Sequence, residues 1–251
     1  MTIQFHPLNA SAPFLGQLAS IACEGIHKTN APQLLEAANI PIGEWSRPTT
    51  YSTTAMPPQR TQNTQLMMAA RLLTESIPEY DSVASRLLLR NLTTEVSTSL
   101  ATSQQITSAC GCHDSSPRTG YQQGFELYIE KGIELGLIHP GIANCDLSML
   151  ASKITPNHDS NLTYMELQSL SSQLLMRHKG KCFELPQYAF MRIAIALAKK
   201  ENHDEKRIIE IYRLLSVRSY ARITAKTFGE GTTKRSPFKK PTTRPHLRLV
   251  H

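Results

Sequence analysis

Residues 184–216 read Glu-Leu-Pro-Gln-Tyr-Ala-Phe-Met-Arg-Ile-Ala-Ile-Ala-Leu-Ala, then a charged turn, then Glu-Lys-Arg-Ile-Ile-Glu-Ile-Tyr-Arg-Leu-Leu-Ser. This is the signature of two consecutive helices. Pro186 suits a first helical turn, where its missing N–H costs nothing and its φ is already near helical. From Ala189 to Ala198 only Arg192 is charged, so this helix is apolar nearly all round and is expected to be deeply buried. A lone guanidinium in such a setting calls for a buried carboxylate or carbonyl partner. The polar run Lys199–His203 separates the two helices, and Asp204 is a suitable N-cap for the second. Ile208, Ile209, Ile211, Tyr212, Leu214 and Leu215 then predict an amphipathic helix. A buried helix handing over to an amphipathic one makes a core hairpin.

Working outward from this hairpin, the upstream chain keeps a helical period. Asn161 to Met176 opens another helix, and His178-Lys179-Gly180-Lys181-Cys182 reads as the turn into the hairpin. Asp146 to Leu150 suggests a short helix. Phe125, Tyr128, Ile129, Ile133 and Leu137 mark a longer one, closed by Gly136 and Pro140-Gly141. Pro78-Glu79-Tyr80-Asp81 starts a helix whose Val83, Ala84, Leu87 and Leu88 share a face. Asn63-Thr64 reads as the cap of the helix before it. Ala22 to about Asn39 is weakly helical, with Asn30 as a cap before Ala31-Pro32, and residues 1–20 carry no strong signal. Residues 40–62, with four prolines, read as an irregular connection holding Trp45 as a packing anchor. Residues 97–120, rich in Ser and Thr, read as a loop. Strand signal is nearly absent before residue 217.

Bulk properties narrow the class. The 251 residues leave room for a sizeable core, and no apolar run reaches the length of a membrane span. The N-terminus shows no basic region followed by an apolar stretch, so no signal peptide is expected there. Five scattered cysteines (23, 110, 112, 145 and 182) fit a reducing cytoplasm better than a disulfide framework. The net charge of +7 belongs to the tail. Removing the six cations from Lys234 to Arg248 leaves 21 basic against 20 acidic residues.

Several of these strings resemble the N-terminal helical region of the ribonucleotide reductase large subunit. The likeness lies in Pro78-Glu79-Tyr80 with Val83-Ala84-Ser85-Arg86-Leu87-Leu88-Leu89, in Gly136 to Pro140, and in Asp159 through Tyr164 to Leu170. It is strongest at Glu184 to Ala198 and Ile208 to Ser216, and Ala22-Cys23-Glu24-Gly25 joins it. The matches are collinear over about residues 20–216. Beyond Ser216 only Thr224, Phe228, Gly231, Thr232 and Thr233 echo the family's first barrel strand, and Lys226 stands where the family has a substrate-contacting threonine. Pro237-Phe238-Lys239-Lys240-Pro241 stands where the family has a redox cysteine.

The resemblance implies a mainly α fold: an N-terminal segment at 1–62, a helical domain at 63–216, and at most a first barrel strand plus a disordered basic tail at 217–251. It also implies that the parent enzyme reduces ribonucleoside diphosphates to deoxyribonucleoside diphosphates. That chemistry needs a hydrogen-abstracting thiyl, a pair of cysteines able to form a disulfide, and a carboxylate base around one nucleotide. None maps onto this sequence. No catalytic, substrate-binding, cofactor or metal residue is therefore assigned, and the chain alone is expected to be inactive. The expected partners are the remainder of a reductase large subunit or an intact one, with the reductase small subunit as a further candidate. The alternative is a non-catalytic helical interaction module. Either way, an apolar surface around the 184–216 hairpin is expected to be left open.

Several motifs admit a chemical reading beside a structural one. Cys110-Gly111-Cys112-His113 offers two thiolates and an imidazole, but lacks a second pair at zinc spacing. Cys23, Cys145 and Cys182 read as packing residues rather than nucleophiles. His158-Asp159 stands where the family has Arg-Asp, and reads as capping or pairing. Tyr164, Tyr188 and Tyr212 sit at helical spacing and read as core. The tail is open to three readings: polyanion binding, an extension without a partner, or translation out of frame. Nucleic acid is disfavoured, because beyond Phe238 no aromatic side chain interleaves the cations.

Overall fold

The structure, a computed structural model, describes residues 15–39, 59–100, 117–198, 204–217, 227 and 229–233. Among them the fold is mainly α, with a single two-stranded ribbon. Helices α1 (Leu15–Cys23), α2 (Ala31–Ala37) and α3 (Gln59–Leu73) pack on the first half of α4 (Tyr80–Ser99). The second half of α4 joins α5 (Pro117–Glu134), α6 (Leu147–Lys153), α7 (Tyr164–Ser169), α8 (Pro186–Ala198) and α9 (Glu205–Ser216) around a larger core.

Helix α4 is the spine between two apolar clusters. Val83, Ala84 and Leu87 face the first, with Leu34, Leu35, Leu66 and Ala70. Leu89, Leu92 and Val96 face the second, and Leu88 touches both. A single amphipathic face could not do this, so the apolar residues wrap around the helix as it passes from one core to the next. Side chains pin the spine to its neighbours. The Tyr80 hydroxyl meets the backbone N–H of Asn30 (3.2 Å) at the start of α2. Arg86 donates to the carbonyls of Ala22 and Glu24, at 3.3 and 2.5 Å, answering acceptors left open where α1 ends.

Local departures from the sequence expectations have local causes. The weakly helical stretch 22–39 holds the end of α1, a turn, and α2 behind the expected cap at Asn30. Chain reversal runs through Gly25 (φ +68°) and Lys28 (φ +61°) before Asn30 caps α2 by accepting from Gln33 N at 2.8 Å. Helix α1 starts at Leu15, inside the region read as featureless. Helix α3 starts at Gln59, not after Asn63-Thr64, and Asn63 instead donates its side-chain amide to Asn91 on α4 (2.9 Å). Helix α4 runs through the Ser/Thr-rich segment to Ser99. Thr93, Thr94, Ser97, Thr98 and Ser99 all turn their hydroxyls back onto carbonyls four residues earlier, which satisfies them without breaking the helix. Helix α5 begins at Pro117, several residues before Phe125. Trp45, the Lys199–His203 run, the Cys110-Gly111-Cys112-His113 motif and the basic tail lie outside the described residues.

Around the larger core, the helix expected over 161–176 is shorter and sharper. Thr163 and Glu166 form a reciprocal capping box, and beyond Ser169 the chain widens into a π turn over Leu170–Leu174. The turn at 178–182 is a β-hairpin, β1 (Arg177–His178) against β2 (Lys181–Cys182), with His178 opposite Lys181. Its corner residues Lys179 and Gly180 both take positive φ, the geometry that matches strand twist. Helix α8 is buried almost throughout, from Pro186 to Ile195. Helix α9 buries Ile208 and Tyr212, but Leu214, expected on the same face, is 60% exposed. At 100° per residue it falls well off the line through Ile208, Tyr212 and Leu215.

Candidate functional site

Among the described residues, buried polar side chains converge around α8, in two linked clusters inside the larger core. Helix α8 supplies Gln187, Tyr188 and Arg192 from a surface that is otherwise apolar. Glu184 precedes the helix, α5 brings Tyr121 and Tyr128, and α9 brings Tyr212 and Ser216.

Arg192 and Glu184 form the first cluster, with side chains only 1% and 0% exposed. Arg192 Nη2 donates to Glu184 Oε1 at 3.0 Å, and its Nε lies 3.1 Å from both Glu184 Oε2 and the Tyr128 hydroxyl. Tyr128 donates to Glu184 Oε2 (2.5 Å), and the Met176 backbone N–H donates to Oε1 (2.8 Å). Arg192 Nη1 donates to the Glu230 carbonyl. The lone charge read on the apolar helix thus has both expected kinds of partner, a carboxylate and a carbonyl. Burial works against the guanidinium charge, yet Glu184 and Tyr128 outweigh it and hold Arg192 above its ordinary pKa. Tyr128 is pushed well above the usual phenol range, first by burial and then by Glu184.

Asp159 centres the second cluster and is 1% exposed. It accepts from the Tyr121 hydroxyl (2.8 Å) and from Gln187 Nε2 (3.0 Å). Gln187 Oε1 accepts from Tyr212, whose hydroxyl accepts in turn from Thr155 N. Burial raises the Asp159 carboxyl to about 7, although its hydrogen bonds to Tyr121 and Gln187 pull the other way. His158 Nδ1 meets the Ser216 hydroxyl at the end of α9. His158 and Asp159 therefore do what pairing residues do: they tie the turn before α7 to α5, α8 and α9. Tyr188 joins the clusters, donating to the Tyr121 carbonyl (2.9 Å) and packing against Tyr121, Phe125 and Tyr128.

These groups are satisfied by one another and shut away from solvent, so the arrangement can hold helices in register but offers no reacting atom to a substrate. The cysteines behave likewise. Cys23 and Cys182 are buried and Cys145 is partly so. Burial raises all three thiols, Cys182 to about 12, which keeps them protonated at neutral pH. Tyr164, Tyr188 and Tyr212 are all buried. Among the described residues no three His, Cys, Asp or Glu side chains come together as a metal site. No helix among them is long and apolar enough to cross a membrane. Sequence reading missed Glu184, Gln187, Tyr121 and Tyr128 as members of these clusters. The available signal was Arg192, the one charge between Ala189 and Ala198, with Glu184 as an acid close before it in sequence.

Among the described residues the fold is mainly α, with its buried polar clusters gathered around α8. Residues 160–221, which include α7, α8 and α9, match the family described as "Ribonucleotide reductase, all-alpha domain". The chain is 29% identical over 169 residues to the ribonucleoside-diphosphate reductase subunit alpha of Chlamydia pneumoniae, covering 67% of this chain and 15% of that protein. To the same subunit of Helicobacter pylori (strain ATCC 700392 / 26695) it is 31% identical over 157 residues, 62% of this chain and 17% of that one. The large subunit of Acanthamoeba polyphaga mimivirus is 39% identical over 77 residues, 31% of this chain and 9% of that one. Helices α7 to α9 are thus similar to that all-alpha domain, and about two thirds of the chain is similar to bacterial reductase subunits alpha. The chain spans about a sixth of the length of the bacterial relatives it matches.

Proposed function

We propose that this chain acts as the N-terminal helical part of a ribonucleotide reductase large subunit, with residues 63–216 as its helical domain, in an enzyme that reduces ribonucleoside diphosphates. Its own contribution is scaffolding. The observation that carries this reading is the saturation of every buried titratable group under α8 by structural bonds, in a domain of reductase type. The reducing chemistry belongs to residues outside it, and the chain needs no cofactor of its own. Its partner is the remainder of a large subunit, or an intact one, with the small subunit reaching it only through that partner. The cytoplasm is its compartment, consistent with Cys23, Cys145 and Cys182 standing as free thiols. The test is turnover: the purified chain, supplied with ribonucleoside diphosphate, reductant and small subunit, should form no deoxyribonucleotide. Product formed by the chain itself would refute the scaffold reading.

A second reading, a helical interaction module acting on another reductase chain, is favoured by exposed Leu214 and Val217 at the end of α9. Such a module would bind a large subunit without raising or restoring its activity. A scaffold that belongs to the enzyme would restore it.

A further inference from the structure

One segment beyond α9 is held against the body by contacts that neither core requires. Residues 229–232 make a turn, closed by Thr232 N donating to Gly229 O (3.3 Å), and 231–233 then run antiparallel to Leu137-Ile138-His139, the short stretch that follows α5. His139 N donates to Gly231 O (2.8 Å) and Thr233 N donates to Leu137 O (3.0 Å), which flank the bridge between Ile138 and Thr232. The Thr233 hydroxyl also meets the Gly136 carbonyl.

Behind this pairing lies Arg192. Its Nη1 donates to the Glu230 carbonyl, while its Nε and Nη2 are held by Glu184 and Tyr128. Gly231 rests directly on the helix. A Cβ there would come within 2.7 Å of Ile142 Cδ1, 3.1 Å of Arg192 Cγ and 3.3 Å of Ala196 Cβ, and the backbone adopts φ +77°. Both conditions admit glycine and strain any other residue.

We propose that the body carries a built acceptor site for a glycine-centred turn and the short bridge that follows it, made of the Leu137–His139 edge and the Arg192 guanidinium, and that residues 229–233 are its occupant. The edge supplies main-chain hydrogen bonds, as in strand addition. Arg192 supplies a charge-assisted bond from a fixed direction, because Glu184 and Tyr128 allow its fork one orientation. Arg192 is thus a positioning residue: through Glu230 it sets where the 229–233 segment sits on the helical body. This role is independent of the reaction proposed above and stands or falls on its own measurements.

The test is amide exchange, read residue by residue on the full chain. In the wild type, His139 N and Thr233 N should be protected, since both bonds span body and segment. Gly231→Val should speed exchange at both by about tenfold or more, the weight of a lost bond to a charged group together with its neighbours. The α8 amide of Ala189, which bonds within the body, should keep its protection in that variant. Arg192→Lys should release the same two amides, because a compact ammonium does not reproduce the planar fork that reaches Glu184 through Nε and Nη2 and Glu230 through Nη1. Should Arg192→Lys fail to fold, the guanidinium can be watched directly in Gly231→Val. There the Nη1 protons should lose protection while the Nε proton, held by Tyr128 and Glu184, retains it. Free exchange at His139 and Thr233 in the wild type would overturn the proposal. So would unchanged protection of those amides in Gly231→Val, or unchanged Nη1 protons once the segment is released.

Discussion

At the scale of single residues, the molecule's stability rests on charges it has buried. Replacing Arg192 by Met leaves the Glu184 carboxylate in the core with Tyr128 and Met176 N still donating to it. Stranding one member of a buried pair costs roughly 3–5 kcal/mol, far more than a surface pair is worth. Urea denaturation should show that loss for Arg192→Met. Adding Glu184→Gln should recover part of it, because the second substitution removes the stranded charge. Strict additivity would mean that the two side chains do not act as a pair.

Asp159 makes a second prediction, and its sign follows from the direction of its shift. Its folded carboxyl is raised to about 7 from an ordinary value of 3.8, so between those values the folded state holds a proton that the unfolded state has lost. Stability therefore contains a term that is full below about pH 4, declines as pH rises, and is gone above about pH 7. Asp159→Asn should flatten that slope in denaturation midpoints taken from pH 4 to 8. An unchanged slope would place the titration elsewhere. Little of this was legible in sequence. Arg192 declared its need by standing alone on an apolar helix, whereas Asp159, Tyr121 and Gln187 come from three distant segments, and only folding makes them neighbours.

At the scale of elements, caps and side-chain bonds decide where helices begin and end. The box at the start of α7 joins Thr163 Oγ1 to Glu166 N and Glu166 Oε2 to Thr163 N. Thr163→Ala should cost about 1 kcal/mol, measured as a shift in the urea midpoint, and Thr163→Ser should restore most of it. Equal midpoints for Ala and Thr would make the cap ornamental. The hairpin of α8 and α9 was legible because its burial pattern is strong and local. The extension of α4 to Ser99 was not, since Ser and Thr signal loops until their hydroxyls find carbonyls within the helix. Nor was the start of α3, where Asn63 looks like a cap but bonds across to Asn91.

At the scale of the whole molecule, two apolar clusters share α4, and helices α8 and α9 keep some large apolar side chains in water at their C-terminal ends. Leu197 is 39% exposed, Leu214 60% and Val217 62%. The sequence had anticipated an open apolar surface near this hairpin, and these side chains are what the described residues place there. Leu214→Lys with Val217→Lys should reduce self-association in sedimentation and lower binding of a hydrophobic dye, while the midpoint of unfolding moves little. Undiminished self-association would locate the contact on another face. What the sequence could not show was the fate of Gly231-Thr232-Thr233. They echoed a barrel strand, and in the structure they pair with the body through a bridge to Ile138.

Under the proposed function, this chain is reductase scaffold and the chemistry lies in other residues. The most direct measurement is complementation: ribonucleoside diphosphate reduction by a relative's large subunit lacking the matching helical segment, assayed with small subunit, with and without this chain. The account predicts no product from either piece alone and product from the mixture, weakened by the Leu214 and Val217 substitutions if that face docks. Product from this chain alone, or a mixture that binds yet stays inactive, would contradict it.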